Sequence, residues 1–170
     1  MKEILLGDQK ELHHLMMQIY PRVYQHLWRD GGKSYLEKTY SPGQLEKELN
    51  EPNTLYCFVQ YQSETIGIIR LLENEPVANF RNKKAAKLQR IYLSDAAQGK
   101  GVGKALMTWM QDRARHSGCS ILWLEVMDTQ QKAIGFYEGL GFQAFNEVKF
   151  ESDLMHKHLR GVYQMWKTIL

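Results

Sequence analysis

Seven consecutive residues, Gln98-Gly99-Lys100-Gly101-Val102-Gly103-Lys104, put three glycines and two lysines where an apolar run gives way to a helical pattern. Glycine allows close backbone approach to a ligand, and the free N–H groups and dipole of a helix start favour negative charge. Lys100 and Lys104 add to that field, so the segment has the chemistry of an anion cradle, for phosphate above all. The plain alternative is a glycine-rich helix start that holds no ligand. Two phosphate signatures fail on spacing. A P-loop needs a glycine five positions before its Gly-Lys pair; Gln98 stands there, and Ala105 replaces the Ser or Thr that should follow. The dinucleotide fingerprint meets Lys104 or Leu106 where it needs glycine. NTPase and NAD chemistry are therefore unsupported.

Two side chains downstream can handle protons. Glu125 interrupts the apolar run from Ile121 to Met127, and a carboxylate there needs a partner or a function. Bonding to the backbone or to Arg90 would satisfy it without any catalytic role. Tyr137, with an ordinary pKa of about 10, is protonated at neutral pH and can donate; taken alone it also reads as a core tyrosine. Other features carry less. His156 and His158 flank Lys157 without a further ligand cluster, so no metal is expected. Cys119 follows Gly118 and reads as packing. Arg81, Lys83, Lys84 and Lys87 form a basic run that suits a phosphate or a solvated loop.

These residues need elements to position them. Glu3 to Leu6 reads as a first strand, and Asp8 with Glu11 as the capping box of a helix carrying Leu12, Leu15, Met16, Ile19 and Val23, which Pro21 kinks or ends. Asp30-Gly31-Gly32 marks a loop, and Ser41-Pro42 opens a second helix that Pro52 stops. Strands at 55–61 and 65–72 form a hairpin, and 73–86 is a long polar connection. A strand at 88–93, the glycine loop, an amphipathic helix ending near Gly118 and a strand at 121–127 make a parallel crossover. A helix over about 130–138 and antiparallel strands at 142–150 and 154–159 close the pattern, leaving Arg160 to Trp166 to pack on this chain or on a dimer partner.

The chain has 170 residues, 44% of them apolar and 24% charged, which suits one soluble domain. Its 22 basic and 19 acidic residues are too balanced for non-specific nucleic-acid binding. Ile4-Leu5-Leu6 is too short for a secretory signal, and no apolar stretch approaches a bilayer span. The expectation is a cytoplasmic protein with Cys57 and Cys119 as free thiols, without nucleic-acid or membrane partners.

Taken with the glycine loop, the run from Asp128 to Phe142 resembles the GCN5-related N-acetyltransferase (GNAT) superfamily. Gln98, Gly101 and Gly103 match its pyrophosphate turn. Ala133, Phe136, Tyr137, Gly141 and Phe142 match its downstream motif, with Gln130 where the family carries asparagine. The resemblance is specific over residues 87–142. It implies an α/β (α+β) single-domain fold covering residues 1–170: a mixed, mostly antiparallel sheet with a splayed parallel strand pair, flanked by helices. It also implies acetyl-CoA as co-substrate. Ile91, Tyr92 and Leu93 would lie along the pantetheine arm, and the Leu93 N–H would polarise the thioester oxygen. Gln98, Gly99, Lys100, Gly101, Val102, Gly103 and Lys104 would hold the pyrophosphate, with Gln130, Ala133 and Phe136 against the cofactor. Tyr137 occupies the family's general-acid position. Glu125, twelve residues before it, has a spacing similar to the acid–base pair of ribosomal-protein N-terminal acetyltransferases and would serve as base. The implied acceptor is the primary amine of a small molecule, with a polyamine as one candidate. A protein N-terminus, a lysine, or a non-catalytic CoA-binding role are the alternatives. Met16, Met17, Trp28 and Tyr35 fall where the family builds its acceptor wall. A polyamine site would need several acidic groups, and Glu37, Glu46, Glu48 and Glu51 lie in the N-terminal half.

Overall fold

The computed structural model describes residues 1–80 and 82–169. Arg81, one member of the basic run, lies outside them. The elements are β1 (Lys2–Glu3), α1 (Gln9–Tyr24), α2 (Lys33–Thr39), α3 (Pro42–Leu49), β2 (Thr54–Tyr61), β3 (Glu64–Leu72), β4 (Ala85–Leu93), α4 (Val102–His116), β5 (Ile121–Met127), α5 (Gln131–Gly139), β6 (Gln143–Lys149) and β7 (Gly161–Thr168). The strands form one seven-stranded sheet in the order β1-β2-β3-β4-β5-β7-β6. The β4–β5 pair is parallel and the others are antiparallel. No helix among the described residues is long and apolar enough to cross a membrane.

Both faces of the sheet are covered, which explains why β5 is apolar at successive positions. Leu122, Leu124 and Val126 pack with Leu106, Met107 and Met110 of α4 and with Ile134 and Tyr137 of α5. On the other face, Tyr56, Phe58 and Ile68 of the sheet meet Leu12, Met16 and Tyr20 of α1, Leu36 of α2 and Leu45 of α3.

The chain departs from the sequence-based expectations at both ends. Strand β1 stops at Glu3, and the Asp8 carboxylate turns back to accept the Leu5 N–H at 3.0 Å, so the expected Asp8–Glu11 box does not form. Helix α1 runs through Pro21; the carbonyl that Pro21 cannot bond belongs to Met17, on the exposed face. Helix α2 was not expected. It spans seven residues and buries only Leu36, too little for a periodicity, and the Asp30 carboxylate starts it by accepting the Gly32 and Ser34 N–H groups. Residues 154–159 are not a strand. Met155 makes one isolated bridge to Trp28, and His156 to Leu159 closes a 3-10 turn. The last strand is instead β7, inserted between β5 and β6, so Arg160 to Trp166 packs on this chain.

Candidate active site

The parallel pair is the key element. Its register runs from Ala85↔Ile121 to Leu88↔Leu124 and stops there, although both strands continue. Beyond that point β4 stays paired to β3 as far as Leu93, and β5 to β7 as far as Met127. The cause lies in β4. Arg70 faces Arg90 while its neighbour Leu71 faces Leu88, so Gln89 is an extra residue. A bulge of this kind bends its strand and raises the local twist, and this one directly follows the last β4–β5 pair. Ser94 N–H donates to Ile66 O on the β3 side. By alternation the main-chain groups of Ile91 and Leu93 turn to the opposite edge, which no strand among the described residues covers.

A cavity of about 340 Å³ fills the gap. It passes through the sheet, since its lining draws Ala133 and Tyr137 from α5 on one face and Tyr20 and Tyr24 from α1 on the other. Ile91 and Tyr92 line it. Leu93 lines a second cavity of about 290 Å³ together with Gln98, Gly99, Gly101, Val102, Gly103, Lys104 and Phe136. Here the glycine loop adopts the conformation its chemistry needs. Gly99 and Gly101 have φ of +70° and +72°, and a Cβ on either would meet nothing within 4 Å. The first intrahelical bond of α4 runs from Ala105 N–H to Gly101 O, so the Val102, Gly103 and Lys104 N–H groups start the helix without an intrahelical acceptor. Open space before left-handed glycines, orphan N–H groups and an uncovered strand edge together fit a phosphorylated, amide-bearing cofactor such as acetyl-CoA.

Tyr137 is buried in α5, yet its hydroxyl makes no hydrogen bond among the described residues and lies at the cavity wall. Burial, with Tyr24 nearby, raises its pKa, so it holds its proton throughout the physiological range. Glu125 is not the buried carboxylate its apolar neighbours suggested. It sits where β4 has turned away, with its side chain 36% exposed, and its partner is Lys87 rather than Arg90. Lys87 Nζ lies 2.8 Å from Oε2, and Gln164 Nε2 lies 2.9 Å from Oε1. Burial opposes its ionisation, but those two hydrogen bonds and the Lys87 charge outweigh it and hold the carboxyl below its ordinary value. Glu125 shares strand parity with Met127, which packs on the α1–α3 side. Tyr137 rises from the α4–α5 side, so the two expected proton handlers face the gap from opposite faces.

The remaining expected residues divide. The Lys100 side chain turns away, with Nζ 5.2 Å from the Tyr61 ring centroid. Gln130 precedes α5 and lines neither cavity, whereas Ala133 and Phe136 each line one. Trp28 and Tyr35 reach the first cavity; Met16 is sealed in the core and Met17 is on the surface. Sequence reasoning missed Tyr20, Tyr24 and Phe150. The Tyr20/Tyr24 spacing of four, on the same helix face, was the available signal. Of the acidic residues in the N-terminal half, Glu48 is 2% exposed and fully engaged: Arg90 grips it through both oxygens at 2.6 and 2.8 Å, and Arg70 lies 3.4 Å away. Glu51 pairs with Arg70. Glu37 and Glu46 line neither cavity.

Comparison with known proteins agrees with this geometry. The sequence profile of the acetyltransferase (GNAT) family matches residues 20–142. An uncharacterised N-acetyltransferase from the pepI 3′ region of Lactobacillus delbrueckii subsp. lactis is 28% identical over 116 residues, 68% of this chain and 67% of the relative. In fold, the chain is similar to PaiA N-acetyltransferase of Thermoplasma acidophilum in complex with coenzyme A, with a TM-score of 0.73, 20% identity, and coverage of 98% of this chain and 96% of the other. It is also similar to spermidine N-acetyltransferase of Vibrio cholerae in complex with CoA and spermine, with a TM-score of 0.70, 18% identity, and coverage of 99% and 94%.

Proposed function

The chain belongs to the acetyltransferase (GNAT) family, whose members draw on acetyl-CoA, and from that premise we propose that it acetylates the primary amine of a small molecule by direct attack of the amine on the thioester. The observation that carries this reading is the cavity through the splayed sheet, with a proton donor on one face and a carboxylate on the other. Acetyl-CoA supplies the activated acetyl group. Ile91 and Leu93 main-chain groups hold its amide-bearing arm as an added strand edge would, and the Leu93 N–H serves the thioester oxygen. The turn from Gln98 to Lys104 takes the pyrophosphate on its backbone N–H groups.

The acceptor enters from the α1–α3 face. Glu125, ionised at neutral pH, accepts a hydrogen bond from the incoming ammonium and passes its proton to solvent at the rim. An alkylammonium has a pKa of about 10, so without such an outlet only a small fraction is nucleophilic. Tyr137 donates from the opposite face to the departing sulfur, whose thiol pKa is about 8.5. Lys87 and Gln164 fix the orientation of Glu125.

The test is Tyr137→Phe. The hydroxyl has no partner among the described residues to leave unsatisfied, so the fold and CoA affinity should hold while turnover falls about 10²-fold. Calorimetry with CoA and free-thiol release with an amine panel read the two separately. Unchanged turnover removes Tyr137 from the chemistry. CoA binding with no turnover of any amine, peptide N-terminus or lysine leaves a non-catalytic CoA-binding role.

A further inference from the structure

The α1–α3 wall of the through-sheet cavity is a run of stacked rings. Tyr24 stacks on Tyr20 with centroids 4.8 Å apart, Tyr20 on Tyr35 at 5.0 Å, and Tyr35 on Trp28 at 4.9 Å, with interplanar angles of 25–28°. Tyr92 from β4 stands edge-on to Tyr20 and Tyr24, and Phe150 edge-on to Trp28. Trp28 Nε1 donates to the Tyr20 hydroxyl at 3.0 Å, tying one end of the run to its second ring. All six residues line the cavity.

The arrangement decides what the wall can bind. A cation is attracted to an open ring face. In this run Tyr20 and Tyr35 each stack on two neighbours, so both of their faces are taken and these two present edges, while only Tyr24 and Trp28, at the ends, keep a face outside the stack. Edges carry the positive end of the ring quadrupole and prefer the face of another aromatic ring. The charges lining the cavity point the same way. Arg90 and Glu125 are already paired, with Glu48 and Lys87, and the remaining two, Lys149 and Glu151, are opposite in sign. There is no surplus of carboxylates to meet several ammonium groups.

We infer that the acceptor is a small arylalkylamine, a primary amine with one flat aromatic group and no second cationic centre. The inference rests on the acetyl-transfer reading above. The ring packs against the Tyr24–Trp28 run while the amine reaches past Met127 to Glu125.

Steady-state release of free CoA from acetyl-CoA, measured with 2-phenylethylamine, n-butylamine and spermidine, tests it. The expected result is a kcat/KM for 2-phenylethylamine about ten-fold or more above both others. In Tyr35→Ala, which removes the middle of the run, the aryl-over-alkyl ratio falls toward one while the KM for acetyl-CoA holds. Should that variant not fold, Tyr24→Leu gives the same readout from the half-buried end. Spermidine equal to or better than 2-phenylethylamine overturns the inference and leaves acetyl transfer standing, as does parity with n-butylamine. A peptide with N-terminal phenylalanine preferred about ten-fold over 2-phenylethylamine overturns the small-molecule class. Absence of acetyl-CoA binding by calorimetry overturns the acetyl-transfer reading and this inference with it.

Discussion

Glu48→Gln should unsettle the protein more than any change at its surface. The Glu48 carboxylate is almost fully buried and receives both arms of Arg90, the Gln44 amide at 2.8 Å and the nearby Arg70, itself buried. Gln keeps the size and one carbonyl but removes the buried negative charge that the Arg90 and Arg70 guanidinium groups share. Glu51 still serves Arg70, so Arg90 bears the loss. Breaking a buried pair in this way costs about 3–5 kcal/mol. For a chain of 170 residues, an unfolding entropy of roughly 2 cal/mol/K per residue converts that into a fall in melting temperature of about 8–14 °C. The pH dependence gives a second signature. The Glu48 pKa lies below 4.5 in the folded protein, because the Arg90 hydrogen bonds and charge outweigh the opposing burial. A lowered folded pKa means stability present above the unfolded value and lost as pH falls through the folded one. The gap between wild type and variant should therefore be constant from neutral pH down to about 5 and narrow below that. Thermal unfolding across this range measures it. A variant melting within about 2 °C of wild type near neutral pH refutes the argument that this cluster binds α3 to β4.

Gly101→Ala forces an L side chain into a left-handed conformation at the start of α4, at a cost of about 1–2 kcal/mol, and puts a methyl in the open space before the orphan N–H groups. The Kd for CoA by calorimetry should rise about ten-fold or more, while pantetheine, which lacks the pyrophosphate, binds as before; an unchanged CoA affinity clears the turn of any phosphate role. Lys87→Met removes the charge and the hydrogen bond that lower the Glu125 pKa. The acid limb of kcat/KM should then move to higher pH, and a limb that stays put separates Glu125 from proton removal.

The middle of the fold was legible because its signals are local. The glycine turn, the α4 stripe and the β5 apolar run each declare an element within a few residues. The splay could not be read that way. It depends on Gln89 being surplus in the register of β4 against β3, and register is a relation between distant segments. The same limit hid β7, whose mixed Gly161–Thr168 sequence reads as a strand only once β5 and β6 flank it. Glu125 drew notice for a partly mistaken reason. It stood out as a charge in a buried strand, whereas its place is polar because the neighbouring strand has left. The Glu48–Arg90–Arg70 cluster looked like ordinary helix acids and strand bases, since nothing in the spacing of residues 48, 70 and 90 announces contact.

The early end of the β4–β5 register divides the sheet into two plates, β1 to β4 and β5 to β6, stitched along only four residue pairs. The uncovered edge at Ile91 and Leu93 belongs to the first plate, and Glu125 to the second. On the proposed reading, thioester and amine would therefore meet across a seam rather than on a single rigid body, and the tilt of one plate against the other would set the distance of attack.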